Sequence, residues 1–237
     1  MESERLVRIV FLTLYVSGMS TLISSLIGIP AGIFLGLRKT RYALLIKVFT
    51  HTLYGLPPVI AGLLVFMLLS RAGPLGELGI LFTPTAMIIA QVLLITPLIM
   101  GLSASAISSI PPGVIDTART LGARRSSMLE TMIVESRVGI FTAVMIGFGR
   151  AISEVGAVII VGGNIKWHTQ VRTTAIILET QKGNFYFALI LGAILLILAF
   201  TTSIILTILQ SKYKNGFFTR FIGRVRNGRG QEGRSGD

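Results

Sequence analysis

The chain has 237 residues, of which 52% are hydrophobic and 14% are charged, and its mean hydropathy is +0.78. Soluble domains carry about 25% charged residues, so the low charged fraction argues against a soluble globule. Disordered chains are poor in apolar residues, so the high hydrophobic fraction argues against disorder. Basic residues outnumber acidic ones by 22 to 10, and cysteine is absent, so disulfides, thiolate metal sites and cysteine nucleophiles are excluded. This balance fits either a nucleic-acid surface or basic loops that flank membrane helices.

Five apolar segments are long enough to cross a membrane, which takes about 20 residues. They predict transmembrane helices near residues 9–37, 48–70, 83–107, 138–161 and 185–210. We interpret the first as a retained helix, because Glu2 and Glu4 make a poor signal-peptide start and the apolar stretch is too long. The predicted fold class is therefore an all-α, polytopic membrane protein, with a transmembrane domain at 1–211 and a basic, disordered tail at 212–237.

The distribution of lysine and arginine orients these spans. With the N-terminus outside, the inner segments hold fifteen basic residues and the outer segments hold six. The positive-inside rule therefore predicts an outer N-terminus and a cytoplasmic C-terminus. The same distribution weakens the nucleic-acid interpretation, because the basic residues are split among short loops and a tail that can lie on anionic lipid.

Two spans carry small residues at every fourth position, a pattern that lets helices approach closely in lipid. The stripe of the first span is Ser20, Ser24, Gly28, Gly32 and Gly36, and that of the fourth is Gly139, Ala143, Gly147 and Ala151. These stripes predict a packed bundle, although glycine is also common in membrane helices generally.

Prolines are expected to break several spans, because each removes a backbone donor. The positions are Pro30, Pro57, Pro58, Pro84 and Pro97. The Pro57–Pro58 pair lies in mid-span, as in a helix that lines a cavity; a structural kink explains it equally well.

Arg150 and Glu154 lie four residues apart in the fourth span and would share a helix face. Charges at this depth are costly and normally pair or face water. The pair indicates either a polar wall of a transport pathway or a structural ion pair between helices.

The predicted inner loop, residues 110–137, begins with Pro111-Pro112 and reaches Gly122, the order typical of a short helix. A second helix is expected from Ser126 or Ser127 towards Glu135. On the first helix an apolar stripe would face a protein partner, or else lie flat on lipid; its residues are Val114, Ile115, Ala118 and Leu121.

The same loop resembles the "EAA" loop of permease subunits of binding-protein-dependent ABC importers, with Asp116, Thr117, Ala118 and Gly122 at the motif positions. The later I-x-L-P of the motif is replaced by residues 132–135, which lack the proline. Residues 147–158, 55–64 and 70–76 are similar to oxyanion permeases for molybdate, tungstate and sulfate, and residues 161–165 and 173–180 look most like tungstate permeases.

The resemblance implies a type I ABC importer permease fold in the cytoplasmic membrane. Two such chains would form the pathway, above two cytoplasmic ATP-binding subunits and beneath an extracytoplasmic solute-binding protein. The ATPase-coupling residues would be Asp116, Thr117, Ala118, Leu121 and Gly122. The translocation-pathway residues would be Arg150, Ser153 and Glu154, and those of helix breaks and packing would be Pro57, Pro58, Gly147, Gly149 and Gly156. The chain would bind no cofactor, since it lacks a G-x-x-x-x-G-K-[ST] phosphate loop.

Other functions stay open. The substrate could be another oxyanion such as sulfate, and an ATP-independent secondary transporter or channel is a second alternative, although no internal repeat is evident. An intramembrane enzyme would need a catalytic cluster, whereas His51 and His168 lie in separate segments.

Overall fold

Every regular element of the computed structural model is helical over the residues that it describes, which are 2–37, 41–120, 122, 124–166, 168–201, 204 and 207–208. The elements are α1 (Glu2–Leu37), α2 (Arg41–Tyr54), α3 (Pro58–Leu69), a 3₁₀ turn (Gly76–Leu78), α4 (Pro84–Ser108), α5 (Pro112–Thr120), α6 (Arg125–Ser153), α7 (Gly156–Gly162), α8 (Arg172–Gln181) and α9 (Phe185–Thr201). The predicted all-α fold class is confirmed. Residues 1–199 form one compact unit. A second unit begins at Phe200, and the predicted tail, 212–237, lies outside the described residues.

Within the described residues, three helices are long and apolar enough to cross a membrane, over Leu6–Leu37, Pro84–Ser108 and Ser126–Ser153. The segments Val48–Tyr54 and Pro58–Leu69 together qualify as a fourth span, bent by 97°. The fifth predicted span begins at Phe185 and is described as an apolar helix as far as Thr201. The count of five spans therefore stays a prediction.

Helix α4 lies at the centre of the bundle, between α1 and α6, and it also contacts α2, α3 and α7. Both stripes of small residues face it. A Cβ at Gly36 would lie 2.7 Å from Cβ of Ile107, and one at Gly147 would lie 2.9 Å from the Ile99 side chain. Because the stripes carry only small side chains, α1 and α6 both pack closely against α4. Such close packing is expected in lipid, where packing rather than the hydrophobic effect drives helix association.

The prolines differ from the sequence prediction in their effect. Pro30 and Pro97 lie inside continuous helices, and Pro84 occupies the first turn of α4, where a missing N–H costs nothing. Among these five prolines, all within the described residues, the Pro57–Pro58 pair alone interrupts a span, because Pro57 caps α3 and Pro58 begins it.

The fourth predicted span, 138–161, also differs from the structure. Helix α6 begins at Arg125 and runs unbroken to Ser153, so the expected cytoplasmic helix towards Glu135 is its first part. No proline follows Glu135 to end that helix. The span is instead interrupted at Glu154–Val155, after which α7 begins at Gly156.

Large apolar side chains remain exposed on the outer faces of several helices, as expected of surfaces that meet lipid or another membrane chain. Examples are Phe11, Leu26, Phe34, Met67 and Leu189.

Candidate functional site

The break between α6 and α7 places Glu154 at the start of a short helix. Its Oε1 accepts hydrogen bonds from the backbone N–H groups of Val155 (3.0 Å) and Ala157 (3.2 Å). The Glu154 side chain is only 5% exposed. A buried carboxylate is thus stabilised by two orphan donors of the helix N-terminus.

Arg150, one turn earlier, reaches the same carboxylate more loosely. Its Nε lies 3.8 Å from Oε2 of Glu154, and its side chain is 41% exposed. Ser153 is exposed too, and its hydroxyl donates to the carbonyl oxygens of Gly149 and Arg150. The predicted pathway residues therefore lie together at the end of α6, with the cation on the open side and the carboxylate inside.

The two broken helices meet at this point. A Cβ on Gly156 would lie 3.1 Å from Val59 and 3.3 Å from Pro58, and one on Gly62 would lie 2.7 Å from Cα of Ala157. Helix α3 therefore packs directly on α7. The Pro57–Pro58 break and the Glu154 break therefore form one junction, although Pro57 and Glu154 are 97 residues apart in the sequence. Gly149 lies outside this packing, because a Cβ there would meet no atom within 4 Å.

The predicted coupling residues lie on and after α5, a helix of nine residues. Asp116 and Thr117 are exposed, and the Thr117 hydroxyl donates to the carbonyl of Gly113 (2.7 Å). Ala118 is half-buried, Leu121 lies outside the described residues, and Gly122 has φ +72°. A left-handed glycine shortly after a helix is a typical stop signal, and Gly122 lies two residues after Thr120, the last residue of α5.

Helix α8 is the part of the site that the sequence reasoning missed. The predicted outer loop between the fourth and fifth spans contains this helix, and three hydrogen bonds fix its first turn. The Arg172 N–H donates to Oγ1 of Thr13 on α1 (3.0 Å), and the Thr173 hydroxyl donates to the carbonyl of Glu154 (3.0 Å). Asn164 donates its side-chain amide to the carbonyl of Thr174 (3.3 Å). The polar Arg172-Thr173-Thr174 run before an apolar stretch was the available signal.

Arg172 is fully buried. Among the residues that the structure describes, none accepts a hydrogen bond from its Nε, Nη1 or Nη2. Burial lowers the pKa of its guanidinium from the ordinary value, yet the group stays protonated at neutral pH because guanidinium is so strongly basic. Arg172 is therefore a second cation near the junction, to which its neighbour Thr173 is hydrogen-bonded. Unlike Arg150, it is enclosed by protein.

Comparison with known proteins supplies a context for this architecture. Residues 28–215 match the family of binding-protein-dependent transport system inner membrane components. The tungstate uptake system permease protein TupB of Peptoclostridium acidaminophilum is 42% identical over 204 residues, which cover 86% of this chain and 90% of that protein. A Haloferax volcanii protein with the name "Probable anion ABC transporter permease protein" is 39% identical over 95% of both chains. The crystal structure of an amino acid ABC transporter with histidines superimposes with a TM-score of 0.65 at 17% identity, over 89% of this chain and 95% of the other, which shows a shared fold.

Proposed function

This chain belongs to the family of binding-protein-dependent transport system inner membrane components, and on that premise we propose that it is the membrane-spanning subunit of an ATP-driven importer for tungstate or molybdate. It is a multi-pass component of the inner membrane. The match over residues 28–215 carries the proposal, because it includes the junction of broken helices and the α5 loop. The names of the relatives at 42% and 39% identity, one for tungstate and one for an anion, favour a dianionic oxyanion.

The partners proposed for this chain are those implied by its family and by its resemblance to ABC importer permeases. Two cytoplasmic ATP-binding subunits hydrolyse ATP, and this chain, whose sequence has no phosphate-binding glycine-rich loop, binds no cofactor. A second copy of the chain completes the pathway, and a solute-binding protein delivers the anion from outside. Helix α5 fits a groove of the ATPase and transmits its closure through α6, with which α5 is in contact.

The proposed pathway passes the junction of broken helices. Discontinuous helices line transport sites because their free backbone groups face a cavity rather than lipid. Arg150 contributes positive potential from the open side, while Glu154 is held by backbone donors and Ser153 lies beside them. The N-terminus lies outside and the C-terminus lies in the cytoplasm, where the basic tail meets anionic lipid.

Uptake by reconstituted vesicles tests the proposal. Vesicles that contain the permease with its ATPase are loaded with ATP, and external binding protein and radioactive tungstate are added. We expect uptake that requires both ATP and the binding protein. Uptake driven by an ion gradient alone would indicate a secondary transporter or channel, and uptake of sulfate in place of tungstate and molybdate would assign a different oxyanion.

A further inference from the structure

Arg172 is a buried cation for which the described part of the chain supplies no anion. Two buried acids lie near α8, and both are engaged elsewhere. The Glu154 carboxylate accepts the N–H groups that start α7 and lies 3.8 Å from Arg150. Glu179 accepts from Lys182 (3.3 Å) and from the Asn184 side chain (3.0 Å) at the other end of α8. Among the described residues, therefore, the charge of Arg172 is left without a carboxylate.

Hydrogen bonds hold the backbone around Arg172 in place, so its burial is a consequence of how α8 is anchored. Its own N–H is bonded to Thr13 of α1, and Thr173 is bonded to the Glu154 carbonyl. Ala175, one turn later, packs with Ile9 of α1 and Leu191 of α9. The fold thus fixes the arginine where α1, α8 and the α6–α7 break converge.

An unpaired buried charge is strongly unfavourable, and charged groups inside membrane proteins normally pair or mark a route for ions. Arg150 does not raise this difficulty, because it is half-exposed and has Glu154 beside it. Arg172 is also the first residue of α8, where the helix dipole adds to the positive potential. Both contributions favour an anion at this position.

A cavity of about 260 Å³ lies beside the segments that hold Arg172. Its lining includes Ile9 and Leu12 of α1, on the turn that leads to Thr13, and Gln170, two residues before Arg172. Arg8 and His168 also line it and are exposed. A cavity with a basic rim is therefore present beside α1 and the segment that precedes Arg172, although Arg172 is not among its lining residues.

We propose that Arg172 binds the tetrahedral oxyanion as it passes between the solute-binding protein and the centre of the membrane. A planar guanidinium presents two parallel N–H donors to two oxygens of such an anion, which a lysine ammonium cannot match. The inference rests on the proposed function. It places a guanidinium ligand for the anion at the start of α8.

The test compares Arg172→Met, Arg172→Lys and wild type in the reconstituted complex with its ATPase and binding protein. Arg71→Met, at an exposed arginine in the predicted outer loop after α3, is the control. For Arg172→Met we expect tungstate uptake to fall by roughly 10- to 100-fold, the loss typical of charged hydrogen bonds, while ATP hydrolysis stimulated by the binding protein persists. Arg172→Lys should be intermediate, and Arg71→Met should behave as wild type.

Thermal unfolding of the detergent-solubilised complex, without binding protein, separates this role from a structural one. Sodium tungstate should raise the unfolding midpoint of wild type relative to the same concentration of sodium chloride, and should leave that of Arg172→Met unchanged. Without tungstate, Arg172→Met should be at least as stable as wild type, since it loses an unpaired charge.

Normal uptake by Arg172→Met would overturn the inference, and so would a lower midpoint of this variant without tungstate, which would mean that a neighbouring subunit supplies a structural carboxylate. Wild-type vesicles that fail to take up tungstate would instead contradict the proposed function, and the unfolding shift with tungstate would still report on Arg172.

Discussion

The hydroxyl of Ser20 donates a 2.7 Å hydrogen bond to Oε1 of Gln91, which joins α1 to a buried position in the first half of α4. The other end of the same amide donates to the carbonyl of Ala151 on α6 (3.0 Å). One side chain, 3% exposed, thereby links the three longest helices of the described chain. Ala151 lies three residues before Glu154, so this link also supports the junction at which α6 ends.

Replacement of Gln91 by methionine should therefore destabilise the bundle. The change keeps the side-chain length but removes one of the two hydrogen bonds that the Ala151 carbonyl accepts, the other being from the Glu154 N–H (3.3 Å). Interhelical hydrogen bonds of this kind contribute about 0.6–2 kcal/mol in membranes. We expect a lower midpoint of thermal unfolding in detergent. Gln181→Met, at the exposed end of α8, is the control and should leave the midpoint unchanged; equal midpoints for both variants would show that the bridge contributes nothing.

Two glycines of α1, one outside the stripe of small residues and one on it, give a prediction in which similar changes have opposite signs. Alanine favours a helix over glycine by about 1 kcal/mol. Gly18→Ala should raise the unfolding midpoint, because a Cβ there meets no atom within 4 Å. Gly32→Ala should lower it, because its Cβ would collide with the Met100 carbonyl and lie 2.7 Å from Cβ of Ser103. A midpoint raised by both changes would refute the close contact of α1 with α4.

These packing features were readable from the sequence, because small residues at every fourth position describe a helix face without reference to its partner. The same holds for α5, where Pro112 and Gly122 mark both ends of a helix locally. Pro30 and Pro57 were not distinguishable in this way. Whether a proline breaks a membrane helix depends on neighbours that satisfy the freed carbonyl, and those neighbours come from distant parts of the chain.

Arg172 shows the same limit at the site. Its position between two spans predicted an ordinary outer-loop cation, one of the six counted there. Its burial depends on α8 docking against α1, and the bond to Thr13 joins residues 159 positions apart. No local pattern contains such a contact. The polar run at 172–174 indicates a helix start, but not which helix it meets.

The predicted orientation is testable because the chain contains no native cysteine. Single cysteines at Ser3 and Ser235 should differ in their reaction with a maleimide that cannot cross the membrane. The asymmetry of basic residues predicts labelling of intact cells at position 3 only, with position 235 labelled after the cells are opened. Labelling of position 235 alone in intact cells would reverse the topology.

The turn after α5 should be sensitive to substitution if it couples the permease to its ATPase. Gly122 has φ +72°, so Gly122→Asp introduces a side chain in a strained backbone conformation and a negative charge at the proposed contact. We expect ATP hydrolysis without tungstate uptake, from a permease still present in the membrane. Gly79→Asp, at a glycine of the predicted outer loop that has φ +61° and open space for an added Cβ, is the matched control and should retain coupled uptake. Wild-type uptake by Gly122→Asp would remove the loop from the coupling route.

Arg150 and Glu154 should respond differently, although they form an ion pair. Glu154→Met should impair assembly, because it removes the acceptor of two backbone N–H groups at the start of α7. Glu154→Gln keeps an oxygen for them and should assemble. Arg150→Met should also assemble, since its one 3.8 Å contact is loose and partly exposed, and such pairs contribute about 0–1 kcal/mol.

The double variant Arg150→Met with Glu154→Gln then isolates the electrostatic role of the junction. Both replacement side chains are uncharged and the α7 start is capped, so size-exclusion chromatography should show a normal complex with its ATPase. A dianion that crosses a region of low dielectric nevertheless needs positive potential along its route, and the methionine that replaces Arg150 offers it none. Tungstate uptake should consequently fall well below that of wild type, while stimulation of ATP hydrolysis by the binding protein persists. An assembled double variant with normal uptake would show that the pair is only structural, and the pathway would then have to pass elsewhere.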